Sequence, residues 1–320
     1  MKNKKSSSID PEIQQFISSI MIGGDEGHVS EAMLLNTQRE RAEETRKPWT
    51  EGGPPADSED LFIPKSDGRI RIRIYRPEYL QDNCPALVYM HGGGFTLFSL
   101  DTHDRVMREY AQRSGVVVVG VDYSLSPEVK FPTALDETAV AIDWVIENSD
   151  RMGIDRNKLA MAGDSAGANL CLAVSLMFRD RSVPSPIKAL VLNYGFFEMD
   201  SKTVSQKKYG GPGELLTTEE LQIYWDNYVG GTIHEKNPLA FPMDADLKGL
   251  PPSYHVIPAC DPLADSNLRM VEKLILAGND VEFSVYESAT HSFLEAVAIS
   301  KLADEAFQVS SDWLDKKLNS

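Results

Sequence analysis

LAMAGDSAGANLCLAVSLMF, residues 159–178, joins two periodicities across a five-residue turn. Leu159 to Asp164 is an apolar run of strand length, and residues 166–180 keep apolar side chains at helical spacing. Between them lies Gly163-Asp164-Ser165-Ala166-Gly167, a G-x-S-x-G. A serine on so tight a strand-to-helix turn needs small neighbours, because a Cβ at either glycine would run into the adjoining strand or helix. The turn lifts the hydroxyl out of the sheet and aims the helix N-terminus at it, where partial positive charge favours a developing oxyanion. Taken alone, the pentapeptide fits a tight turn with an N-cap serine equally well, so its surroundings have to decide.

Outward from this turn, short apolar strands alternate with helical segments. Strands are expected at ALVYM (86–90), VVVVGVDY (116–123), LAMAGD (159–164), ALVLNYG (189–195), SYHVIPA (253–259) and VEFSVYE (281–287). Helices are expected at 102–113, 133–148, 166–180, 262–277 and 301–317. This is the signature of an α/β fold with a mostly parallel central sheet flanked by helices. Upstream, the stretch from Leu61 to Pro77 contains RIRIRIY, which alternates as a half-buried antiparallel strand would. A Gly/Pro-rich segment, EGGPPADSED, separates it from residues 1–50, where Ile13, Phe16, Ile17 and Ile20 share one helical face and Met33, Leu34 and Leu35 lie in a second helical stretch. Residues 196–250 break the alternation, with a capping signature at Thr217 or Thr218 before a helix. The chain is therefore divided into N-terminal helices at 1–50, core segments at 51–195 and 251–320, and an insertion at 196–250 that packs over the sheet with those helices.

Directly after ALVYM stands His91-Gly92-Gly93-Gly94-Phe95. Three glycines let backbone N–H groups approach a ligand closely, and in this position they suit donation to an oxyanion. A phosphate cradle is the competing idea, but the loop has no GxGxxG, no GK[ST] and no following Lys or Arg. A serine nucleophile needs a base, and the base needs an orienting carboxylate; the chain order in such folds is Ser, acid, His. Of the histidines after Ser165, His255 alternates within a strand as a core residue, and His234 sits in a polar loop of the insertion. His291, in SATHSF just after the last strand, lies where sites in parallel sheets gather. For the acid, Asp261 emerges from the preceding strand's end and is preferred; Asp265 and Glu287 remain as alternatives. Asp101-Thr102-His103-Asp104 contains metal-ligand types, yet Asp101 or Thr102 capping the next helix explains it. Phe95, Phe98, Tyr194, Phe196, Phe197, Tyr224 and Trp225 read as core by default, several placed where they could line an acyl pocket.

Composition narrows the function classes. With 320 residues and 42% hydrophobic content the chain can bury a full core. A formal net charge of −16 disfavours attraction to nucleic acid or anionic lipid. Cys84, Cys171 and Cys260 form no CxxC pair, so reduced thiols in a cytoplasm are expected. The apolar stretch FISSIMI is too short and ill-flanked for a signal peptide, and no run approaches the length of a bilayer span, so no membrane insertion is expected.

With HGGGF at 91–95, DYSLSPEVKFPTA at 122–134, GDSAG at 163–167, DPLAD at 261–265 and HSF at 291–293, the chain resembles the hormone-sensitive-lipase-like carboxylesterases, most nearly the bacterial acetyl esterases among them. The likeness runs from about residue 85 to the C-terminus and includes LDTHDRVMR at 100–108. It implies an α/β-hydrolase fold with a helical cap, no cofactor, and hydrolysis of short-chain acyl esters, acetyl to about butyryl or hexanoyl. Carried over by position, Ser165, Asp261 and His291 form the triad, while His91, Gly92, Gly93 and the amide of Ala166 serve the oxyanion hole. Asp122 to Glu128 is expected to support the site. Ser124 and Ser126 stand where Arg and Ala are common, and Ser292 replaces the frequent Gly after the histidine. The partner implied is a small-molecule ester, with a homodimer also compatible. Rival readings are a binding protein on the same fold, like plant gibberellin receptors that lack the histidine, and an amidase or formamidase using the same triad.

Overall fold

The structure, a computed structural model, describes residues 9–21, 31–80, 83–181, 185–200, 202–230 and 237–319. In chain order the elements begin with α1 (Pro11–Ile20) and α2 (Glu31–Thr50), followed by β1 (Ala56–Lys65), β2 (Gly68–Pro77) and β3 (Cys84–Met90). Next come α3 (Asp104–Ser114), β4 (Val117–Asp122), α4 (Thr133–Glu147), the short α5 (Ser149–Met152) and β5 (Ile154–Asp164). The chain continues through α6 (Ala166–Arg179), β6 (Ile187–Asn193), α7 (Val204–Tyr209) and α8 (Thr218–Val229), then β7 (Ser253–Pro258), α9 (Ala264–Leu276), β8 (Val281–Tyr286) and α10 (Lys301–Leu318).

All eight strands form one sheet in the order β1-β2-β4-β3-β5-β6-β7-β8. β2 pairs antiparallel with β1 and with β4, and every pair from β4 to β8 is parallel. Parallel strands are covered on both faces, which is why they read as apolar throughout. Along β3, Ala86, Val88 and Met90 pack with Leu135 of α4 and Leu170 of α6, whereas Leu87 and Tyr89 pack with Tyr110 of α3 and Phe307 of α10. Ile13, Phe16, Ile17 and Ile20 of α1 are buried on the second face.

The expected strands and helices are present, with two corrections. RIRIRIY lies in β2 as expected, and the first correction is that Leu61 to Lys65 belongs to a separate strand, β1, the two forming a hairpin that turns at Ser66-Asp67 before Gly68. β1 begins inside the Gly/Pro-rich separator because an edge strand exposed along most of its length shows no apolar period. On β2, Ile70, Ile72 and Ile74 are buried while Arg71 and Arg73 pair with Asp60 across the ladder, so the alternation is that of a half-buried strand. Secondly, neither Asp101 nor Thr102 caps α3: its N-cap is His103, whose side chain makes no capping bond. Asp101 instead takes Arg71 and Arg73, and Asp104 takes the Tyr75 hydroxyl. In the insertion, Thr217 closes a capping box with Glu220 at the start of α8.

Cys84, Cys171 and Cys260 are buried and none is in a disulfide. No helix among the described residues is long and apolar enough to cross a membrane. His234, and the Gly23-Gly24-Asp25-Glu26 segment expected as a loop, lie outside the described residues.

Candidate active site

The turn after β5 is as tight as its glycines require. A Cβ on Gly163 would meet the Gly167 carbonyl carbon at 2.5 Å, and one on Gly167 would meet the Met90 carbonyl oxygen at 2.0 Å. Ser165 at the apex has φ 52° and ψ −115°, a conformation that costs an L-residue energy and persists only where its surroundings impose it. Its amide donates to Asn193 and its carbonyl accepts from Phe196, so β6 and the loop beyond hold the turn from one side.

His291 follows β8 and Asp261 follows β7, and the parallel sheet delivers both to the same edge as Ser165. His291 Nε2 is 3.0 Å from Ser165 Oγ, and His291 Nδ1 is 2.7 Å from Asp261 Oδ2. Asp261 is fully buried, and its other oxygen accepts from the Leu263 amide at 2.7 Å. With Nδ1–H donating to the carboxylate, Nε2 is left to accept from the serine hydroxyl, the tautomer a general base requires. The Tyr194 ring meets the imidazole edge-on, centroids 5.0 Å apart.

The alternatives for the acid serve elsewhere. Asp265 Oδ2 accepts from the Ser205 amide in the first turn of α7, fastening that helix to α9. Glu287 is exposed. His255 is buried in β7 beside Ser253, and burial pushes its pKa down to about 3, so it is a neutral core residue.

Ser165, His291, Gly93 and Gly94 face a cavity of about 300 Å³. Residues of α1, α2 and α8 contribute to its walls, among them Ile20, Arg46 and Tyr224. Of the aromatic set, Phe98, Phe196 and Tyr224 line it, whereas Phe95 stacks on Tyr228 in the core at 3.7 Å. Among the described residues, the amides of Gly92, Gly93 and Ala166 have no protein acceptor. The His91 side chain lies behind the wall: its ring stacks on Tyr123 at 4.4 Å, burial pushes its pKa down to about 3, and its carbonyl accepts from the Tyr123 hydroxyl. Tyr123 belongs to the Asp122 to Glu128 segment, which thus supports the glycine loop, and Ser126 adds an amide bond to the Phe95 carbonyl.

Helix α2 grips this loop as well. Arg39 donates to the carbonyls of Thr96 and Ser126, each at 2.8 Å, and pairs with Glu128 at 2.6 Å. Two turns on, Arg46 pairs with Glu295 at 3.1 Å, just beyond His291, and its guanidinium lies 4.2 Å over the Phe98 ring. Nothing in the polar sequence of α2 marks these arginines. Asp164 does carry a signal in the sequence: a carboxylate ending an otherwise apolar strand needs a buried partner, and His103 supplies it.

A family model described as the alpha/beta hydrolase fold matches residues 87–295, from β3 through the turn that follows His291. The chain belongs to that family. Among curated relatives of this α/β-hydrolase, an acetyl esterase of Salmonella paratyphi B is 32% identical over 276 residues, covering 86% of this chain and 84% of the relative. Among solved structures, an esterase of Pyrobaculum calidifontis superposes with a TM-score of 0.88 at 34% identity, covering 96% of this chain and 98% of its own. A thermophilic carboxylesterase cloned from a metagenomic library gives a TM-score of 0.86 at 33% identity, covering 91% and 99% respectively. One of two fungal esterases from Rhizomucor miehei gives 0.88 at 30%, covering 97% of each chain.

Proposed function

We propose that the esterase activity of this α/β-hydrolase is hydrolysis of short-chain carboxylic esters, acetyl to about butyryl or hexanoyl, through an acyl-enzyme on Ser165. The observation that carries the reading is the hydrogen-bonded line from Asp261 through His291 to Ser165, 2.7 and 3.0 Å, ending at the wall of a cavity of about 300 Å³. Ligand pockets span roughly 300–1,000 Å³, so this one suits a small acyl group.

Ser165 Oγ attacks the ester carbonyl carbon while His291 Nε2 takes its proton. The resulting oxyanion is held by the amides of Gly92, Gly93 and Ala166, and Asp261 stabilises the imidazolium. His291 then returns the proton to the leaving alcohol, and water, activated by the same base, releases the acid. Each reacting proton stays on this chain's own groups or on substrate and water, so the scheme needs no cofactor.

The test is hydrolysis of p-nitrophenyl acetate, butyrate, octanoate and palmitate, with Ser165→Ala alongside. Serine-dependent turnover that falls steeply beyond the short chains is expected. An active Ser165→Ala protein would sink the assignment, and faster cleavage of a matched anilide than of the ester would move it to an amidase.

A further inference from the structure

The nucleophile's turn carries a second carboxylate that the scheme above does not use. Asp164 immediately precedes Ser165, and its side chain is 3% exposed. The Tyr89 hydroxyl donates to Oδ1 at 2.8 Å, and His103 Nε2 meets Oδ2 at 3.3 Å. The other nitrogen of that imidazole, Nδ1, stands 2.9 Å from Thr102 Oγ1. Because the Thr102 hydroxyl already donates to the Ser99 carbonyl at 2.9 Å, Oγ1 is left to accept. Both ring nitrogens of His103 therefore face acceptors, the arrangement of an imidazolium paired with a carboxylate.

This pair lies against the glycine loop. A Cβ on Gly92 would come within 2.3 Å of Asp164 Oδ2, so the carboxylate rests directly on the loop's backbone. Unpaired, a fixed negative charge there would oppose an oxyanion forming nearby, and the low dielectric of a buried site would strengthen that opposition. The other groups around His103 do not supply the missing positive charge. His91, with its ring 5.6 Å away, is kept neutral by burial, and Arg46 is already paired with Glu295. Glu43 adds a further acid on the side of α2, and Phe98 covers the ring at 5.6 Å. Burial opposes charge on both partners, yet the attraction between them outweighs it, raising the pKa of His103 and lowering that of Asp164.

We infer that His103 is a positioning residue for ester hydrolysis: as an imidazolium it neutralises Asp164 against Gly92, holding the glycine loop in place and keeping an uncompensated negative charge away from the oxyanion. The inference rests on the oxyanion role proposed above for that loop. When His103 loses its proton at alkaline pH, the charge of Asp164 is unmasked and turnover falls.

The experiment is the pH profile of kcat/KM for p-nitrophenyl acetate, from about pH 6 to about pH 9, in the wild type, Asp164→Asn, His103→Gln and the double variant, with Ser165→Ala as background. The wild-type profile is expected to fall on the alkaline side, and Asp164→Asn to lose that fall. His103→Gln alone should lose about a hundredfold, comparable to removing an oxyanion donor, and adding Asp164→Asn should restore about tenfold or more. A purely structural contact gives the opposite order, the double variant being no better than the single. That order, or an unchanged alkaline fall in Asp164→Asn, overturns the inference, and the Asp164→Asn profile decides alone if His103→Gln does not fold. Absence of serine-dependent turnover in the wild type would instead refute the esterase reading. The pair then stands on an imidazole NMR titration, in which His103 must hold its proton to higher pH than an exposed histidine does.

Discussion

Arg46 of α2 and Glu295, in the turn after His291, form an ion pair at 3.1 Å whose side chains are only 10% and 4% exposed. Removing the cation leaves a buried carboxylate without a partner, so Arg46→Ala should lose about 3 kcal/mol of stability. Glu295→Gln, which leaves the guanidinium its Phe98 ring, should lose markedly less. Urea unfolding of the two variants checks the order, and equal losses would refute it.

Asp261 holds the His291 tautomer through a single short bond. Asp261→Asn should leave the fold intact and lower kcat by about 10⁴-fold, because the amide can donate to Nδ1 and favour the wrong tautomer. Steady-state kinetics with an unchanged melting temperature is the expected result.

Tyr224 rests on the glycine loop: a Cβ on Gly94 would lie 2.3 Å from its ring. Tyr224→Ala should open the cavity and raise the ratio of octanoate to acetate turnover by about tenfold, within what one or two methylenes are worth in an apolar pocket. A ratio that does not rise would show that this ring does not limit the acyl group.

His91 and His255 are buried and neutral, their pKa values pushed from 6.5 to about 3 by burial. Unfolding returns both to water, where they titrate near their ordinary value. Stability is therefore full above about pH 6.5 and falls as the pH drops toward 3, by up to about 1.4 kcal/mol per pH unit for each histidine. His103, raised by its carboxylate, contributes in the opposite sense, above that range. Urea midpoints near pH 7 and near pH 5 test this, and His255→Gln should make the acid slope shallower.

Ser292, at the position after His291 where glycine is frequent in the family the chain resembles, has φ 59°. That left-handed conformation disfavours a side chain, so Ser292→Gly should raise stability by up to about 1 kcal/mol, measured by thermal unfolding.

What could be read from the chain was what is local. The β5 turn, the HGGG loop and the histidine after β8 each carry their meaning within a few residues, and strand order in a parallel sheet places them on one edge. Pairings between distant segments were invisible. Arg46 and Glu295 are 249 positions apart, and each looks like an ordinary surface charge until the fold buries it. In the sequence His103 is one member of a polar cluster, and nothing in its own neighbourhood points to Asp164. β1 hid in a Gly/Pro-rich stretch for the reverse reason: exposed along most of its length, it has no apolar period to show.

The two arginines of α2 bear on how molecules enter and leave. Arg39 is fastened to the loop on one side of the cavity and Arg46 to the turn on the other. A helix tied at two points two turns apart lifts off as a whole only by breaking both ties, and pivots about one only by breaking the other. Any motion of α2 that widened the cavity would therefore cost at least one of these ion pairs, so room for a larger acyl group has to come from the other walls.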